Sequence, residues 1–178
     1  MAKKKKNNTK WLITITLLAF TISFVFSLVS ELTLSKVNLI IGIIILILFI
    51  TIGIIFDMIG VAVTSTTESP LHAMSAKKIK GAKKAVTFKQ NADRVSSFCN
   101  DVIGDICGII SGSAGVTITA TISKSYNLDV FWVGLVITAI VAALTIGGKA
   151  VCKGIAMKNS NKIVYLTAKV LSIFEKKK

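Results

Sequence analysis

The chain has 178 residues, 53% of them hydrophobic, a mean hydropathy of +0.74 and a formal net charge of +14. Apolar runs of about 20 residues, the length that spans a bilayer, leave no room for a large soluble catalytic domain. The lysines cluster beside those runs with no aromatic interleaving, so the positive charge reads as membrane anchoring and excludes nucleic acid as a partner.

The basic opening MAKKKKNNTK leads into an apolar run from Trp11 to about Ser30. That run is longer than the core of a signal peptide, and SLVSEL is a poor cleavage site, so it reads as a retained first helix. With the polar hinge ELTLSK it makes an N-terminal region of residues 1–36. A second span covers about 37–63. Its IIGIIILILFITIGIIF does not alternate, so in lipid it can satisfy its backbone only as a helix. A third span covers about 97–122 and, after the hinge SKSYNLD, a fourth covers about 130–147. The fold class is therefore an all-α membrane protein with four transmembrane helices.

Two basic stretches flank these spans. In the polar segment 64–95, Thr66, Thr67 and Ser69 are capping candidates ahead of Pro70, a residue suited to a first helical turn. A helix over about 68–90 sets Leu71, Met74, Ile79, Ala82 and Val86 against its lysines, with Gly81 breaking or bending it. The tail carries a similar helix over about 159–175, with Ile163, Leu166, Val170 and Ile173 or Phe174 on one side. Basic amphipathic helices of this kind lie on a membrane surface and bind anionic lipids of the inner leaflet.

Counting charge orients the chain. The N-terminus, the middle segment and the tail hold twenty Lys and Arg residues, against Lys36 and Lys124 in the two hinges. Four spans put all twenty on one side. By the positive-inside rule this is a multi-pass inner (cell) membrane protein with both termini in the cytoplasm.

The residues able to carry chemistry are acids inside spans. Asp101 and Asp105, in CNDVIGDICG, are four apart and share a face of an α-helix, and Asp57 lies within the second span. Carboxylates at membrane depth mark ion sites and proton relays, and neighbouring ones need a proton or a cation. Either a bound metal or Lys149, just after the fourth span, can neutralise them. For a metal, Asp57, Thr64, Ser65, Asn100, Asp101 and Asp105 form an oxygen set suited to Mg²⁺. Gly104, Gly108, Gly112 and Gly115 give the third span a small-residue face for close helix packing. Cys99, Cys107 and Cys152 lack metal or redox spacing and read as small apolar residues, and His72 stands alone. No nucleophile–base arrangement is visible, so an enzyme is not expected.

Four phrases in order resemble the transmembrane domain of the cyclin M and CorB/CorC magnesium transporter family: FDMIGVAVTS (56–65), KGAKKA (80–85), NADRVSSFCNDVIGDI (91–106) and GKAVCKGIA (148–156). The resemblance implies a three-helix core with a juxtamembrane belt over 37–178, preceded by one extra helix, and a homodimer that binds or moves Mg²⁺. It also implies cytoplasmic CBS domains, which are not in this chain and which a separate regulatory chain would supply. The positions that carry acids in the family are altered. Gly60 stands where the first-helix Glu is expected, Lys149 where the last-helix Glu is expected, and Cys152 replaces the motif proline. Asn100 and Asp101 match an Asn-Asn pair, Gly104 matches a later Asn, and Thr64 and Ser65 are retained. Two functions follow as expectations: a divalent-cation protein with a rebuilt site, or a non-transporting membrane interaction protein in which Lys149, paired with Asp101 or Asp105, replaces the ion.

Overall fold

A computed structural model describes residues 13–25, 27–28 and 38–175. The described residues contain no strand. They form α1 (Ile13–Val25), α2 (Leu39–Ser65), α3 (Glu68–Ala76), α4 (Ala82–Gln90), α5 (Ala92–Ser97), a π-helical segment (Phe98–Gly104), α6 (Asp105–Tyr126), α7 (Val130–Lys158) and α8 (Ser160–Glu175). The all-α membrane fold expected from sequence is present.

Three helical stretches are long and apolar enough to cross a membrane: Leu39–Ser65, Ala92–Tyr126 and Val130–Lys158. The described part of the first run, Ile13–Val25, is apolar but shorter than a span. The remainder of that expected span, the basic N-terminus, most of the ELTLSK hinge, the Phe174 side chain and the last three lysines lie outside the described residues. At 1.5 Å per residue, α2 and α7, with 27 and 29 residues, run for about 40 Å. That exceeds the hydrocarbon thickness of about 30 Å, so each helix either tilts or projects beyond it.

The described chain forms two compact units, residues 1–53 with 105–145, and 54–104 with 146–178. The first is a set of apolar helices. Its packing surfaces use small residues: Gly115 of α6 meets Ile137 and Val141 of α7, and Gly134 of α7 meets Thr119 of α6. Most of the bonded hydroxyls of α6 turn back on their own helix, Ser111 donating to the Gly108 carbonyl and Thr119 to that of Gly115, while the buried Ser123 hydroxyl has no partner. Such back-bonding satisfies hydroxyls of a Ser/Thr-rich helix without exposing them to lipid. Large side chains such as Ile44, Leu48, Leu135 and Leu144 are exposed, the arrangement of a protein whose solvent is hydrocarbon.

The second unit is built differently. Its core, Ala62, Val63, Leu71, Ala85, Ala156, Val164 and Ala168, draws on α2, α3, α4, α7 and α8. Leu71, Val63 and Val164 are fully buried. The juxtamembrane helices therefore pack on one another rather than lying separately on a lipid surface.

The helical stretch expected over 68–90, with a break or bend at Gly81, is two helices, α3 and α4. Gly81 separates them with φ of +87°, a left-handed value that suits glycine. Its missing side chain also lets α4 approach α8, since a Cβ there would stand 2.7 Å from Lys169 Cα. The α8 face is amphipathic as expected, Val164 and Ala168 inward and Leu166, Val170 and Ile173 outward.

Candidate functional site

Asp57 lies in the second unit, on the part of α2 that runs to Ser65. Its carboxylate oxygen is 3.5 Å from the Lys149 ammonium of α7, with the two side chains 19% and 32% exposed. Lys149 therefore pairs with Asp57 and not, as its sequence position suggested, with Asp101 or Asp105. The reason is local. The Asp101 carboxylate is exposed and accepts a 2.7 Å hydrogen bond from Ser97 Oγ. Asp105 opens α6, is exposed, and belongs to the first unit.

One turn along α2 from Asp57 is Gly60, and the space beside it is filled by Asn100. A Cβ at residue 60 would stand 1.9 Å from Asn100 Oδ1. That oxygen is buried and has no hydrogen-bond partner, while Asn100 Nδ2 donates to Ser96 Oγ at 3.3 Å. An unpaired buried carbonyl carries a desolvation penalty of about 1–3 kcal/mol unless something satisfies it. Asn100 stands in the seven-residue π-helical segment, where i→i+5 bonding adds a residue to the turn. π-Helical turns are rare and concentrate at functional sites. Because this segment ends at Gly104, Asp101 and Asp105 do not share one regular α-helical face. Gly104, on the same segment, faces the amine, since a Cβ there would be 3.9 Å from Lys149 Nζ.

The structure thus brings together Asp57, Asn100 and Lys149 of the residues picked out by sequence. Thr64 and Ser65 are exposed and lie seven and eight residues beyond Asp57, about 10 Å along the helix axis. One Mg²⁺ with ligand distances of about 2.1 Å cannot reach from Asp57 to that turn. The Thr64 hydroxyl donates to the Val61 carbonyl at 2.9 Å, and the Thr64 carbonyl accepts from Lys89 Nζ at 3.0 Å. Among the described residues no group of three or more His, Cys, Asp and Glu stands ready for a metal. Mg²⁺ does not require one, since it binds through one or two carboxylates and keeps several waters. The donor set fits such an ion in its oxygens and opposes it in its lysine.

Two polar features went unnoticed in the sequence. Lys89 closes the end of α2 through the Thr64 carbonyl. Asn161 of α8 accepts a hydrogen bond from the buried Thr66 hydroxyl and donates to Thr67 Oγ1 at 3.4 Å. Both tie the end of α2 to the juxtamembrane helices. Neither residue carries a signal in sequence, because a lysine in a basic helix and an asparagine at a helix start are commonplace.

Residues 43–176 match the sequence profile of the cyclin M transmembrane N-terminal domain. The chain belongs to that family. The cyclin M match covers α2 from Ile43 to near the end of α8, so it takes in Asp57, Gly60, Asn100, Lys149 and the juxtamembrane helices together. No significant match was found among curated proteins or among solved structures. As the membrane domain of a family of divalent-cation transporters, the chain is a multi-pass membrane protein.

Proposed function

We propose that this protein binds Mg²⁺ among the oxygens of Asp57 and Asn100 and moves it across the cell membrane, with Lys149 as the cation that holds the site when the ion is absent. The observation that carries this reading is Asn100 Oδ1, a buried oxygen with no donor, one turn from the Asp57 carboxylate. A hard cation takes such oxygens. An ammonium and a divalent ion compete for the same carboxylate, so loading the site displaces Lys149 from Asp57. The reading involves no catalysis.

Both termini and the α3–α4 and α8 helices are taken to be cytoplasmic, on the twenty-to-two bias of Lys and Arg. A homodimer is supported by the exposed stripe of α6, where Gly108 and Gly112 have open space around a would-be Cβ. Anionic inner-leaflet lipid and a separate cytoplasmic regulatory chain complete the expected partners.

The Asp57–Lys149 pair favours a second reading, a non-transporting interaction protein in which the lysine has permanently replaced the ion. Thermal unfolding in detergent with about 10 mM Mg²⁺, against Na⁺ at equal ionic strength, separates the two. A site of about 0.1 mM affinity stabilises by about 2.7 kcal/mol at that concentration. On the first reading Mg²⁺ raises the melting temperature, Lys149→Met raises it further, and Asp57→Asn abolishes the rise. On the second, Mg²⁺ has no specific effect, and Lys149→Met destabilises unless Asp57 is neutralised with it.

A further inference from the structure

Three helical segments wall the ion site, and each pair of them meets at a glycine. Asn100 of the π-helical segment fills the notch at Gly60 of α2. Gly104 of that segment lies beside α7, its would-be Cβ 3.9 Å from Lys149 Nζ. The third contact, between α7 and α2, is made at Gly148. A Cβ there would collide with Ile54 Cδ1 and stand 3.2 Å from Ile54 Cγ1. Ile54 lies three residues before Asp57, and Gly148 immediately precedes Lys149, so this contact is within one turn of the ion pair. The neighbouring Gly147 has open space around a would-be Cβ. Each glycine costs α7 about 1 kcal/mol of helix propensity, and only Gly148 returns a close approach to α2.

We infer that the Ile54–Gly148 contact sets the width of the site and so makes it select a small divalent cation over a large one. The inference rests on the reading that a cation binds at Asp57 and Asn100. Oxygen ligands stand about 2.0–2.1 Å from Mg²⁺ and about 2.3–2.6 Å from Ca²⁺, so the gaps the two ions need differ by a few tenths of an ångström. A methyl group at 148 demands a shift of that same size. Ile54 Cδ1, the end of a flexible side chain, can swing away, but Cγ1 must give by a few tenths of an ångström. β-Branching holds χ1 of an isoleucine in one rotamer within a helix, so Cγ1 follows the α2 backbone. The two helices therefore part to relieve the contact. Lys149 then withdraws from Asp57, and the wall that α7 gives the site retreats with it. Ile54 and Gly148 are positioning residues, since neither side chain offers an oxygen to the ion.

The test uses the full chain in neutral detergent at fixed ionic strength. Mg²⁺ and Ca²⁺ chlorides are titrated separately, and the rise in melting temperature gives an apparent affinity for each. The wild-type protein is expected to favour Mg²⁺. Gly148→Ala is expected to shift the affinity ratio toward Ca²⁺ by about fivefold or more. Gly147→Ala, which changes helix propensity equally but meets open space, shifts it by less than about twofold. Ile54→Val removes Cδ1, lets the helices close and shifts the ratio toward Mg²⁺, and it decides the matter if Gly148→Ala misfolds. A merely structural role for Gly148 changes stability and leaves the ratio where it was. An unchanged ratio in Gly148→Ala and Ile54→Val, an equal shift from Gly147→Ala, or a wild-type preference for Ca²⁺ overturns the inference and leaves the ion site standing. A wild-type protein stabilised by neither ion overturns the ion site and the inference with it.

Discussion

The two compact units solve the same problem, burying apolar surface, with different balances of small and large side chains. In residues 1–53 with 105–145, large aliphatic side chains such as Ile44, Leu135 and Leu144 point outward, and the interior combines buried Leu46, Ile50, Ile110 and Ile118 with close contacts at Gly115, Gly134 and Thr119. In residues 54–104 with 146–178, Leu71, Val63 and Val164 are enclosed as in a water-soluble core. Lipid explains the first pattern, because in hydrocarbon there is no hydrophobic drive between helices and close backbone approach is what packs them. The second pattern follows from helix length, because nine-residue segments are marginal alone and are held in place by tertiary burial of their apolar side chains. The polar site belongs to the second unit, whose α2 end is fixed by Lys89 and Asn161.

The largest effect should come from testing that contrast directly. Leu71→Ala removes a fully buried side chain from the juxtamembrane core and should lower unfolding free energy by about 2–5 kcal/mol. Leu135→Ala, on an exposed face of the first unit, should change it by less than about 1 kcal/mol. Denaturation in matched micelles measures both, and equal losses would break the comparison. Next in size is Gly81→Ala. A left-handed φ and the Lys169 backbone at 2.7 Å both oppose a methyl group, so a loss above about 1 kcal/mol is expected by the same assay. The smallest effect on monomer stability should come from Gly112→Leu. Open space surrounds that position, so the fold should hold while self-association measured by sedimentation in detergent weakens. A variant that keeps full self-association would remove α6 from the dimer contact.

Much of this architecture is legible in the chain itself. The described part of the spans expected at 37–63 and 130–147 falls within α2 and α7 apart from Asn38, because long apolar runs leave lipid-exposed backbone few choices. The break at Gly81 is legible too, since glycine interrupts a lysine-rich helix there. The ion pair is not. Asp57 and Lys149 are far apart in sequence, and helical spacing ranks Asp101 and Asp105 as the better-placed acids. The π-helical segment misleads in the same way, because spacing arguments assume regular α-helical turns. It shifts Asn100 into the gap at Gly60, and no composition rule announces that shift. Thr64 and Ser65 show the limit of a motif, being retained in sequence yet two turns beyond Asp57.

The amide of Asn100 lying where residue 60 would carry its side chain has a consequence for inheritance. The two positions share one volume, so residue 60 cannot enlarge while Asn100 keeps its present placement. A carboxylate at position 60 requires position 100 first to shrink or move aside, since otherwise it clashes with the Asn100 amide. An enlargement at 60 should therefore follow a change at 100 rather than precede it. Introducing an acid at 60 then takes two ordered steps, with a small–small intermediate between them.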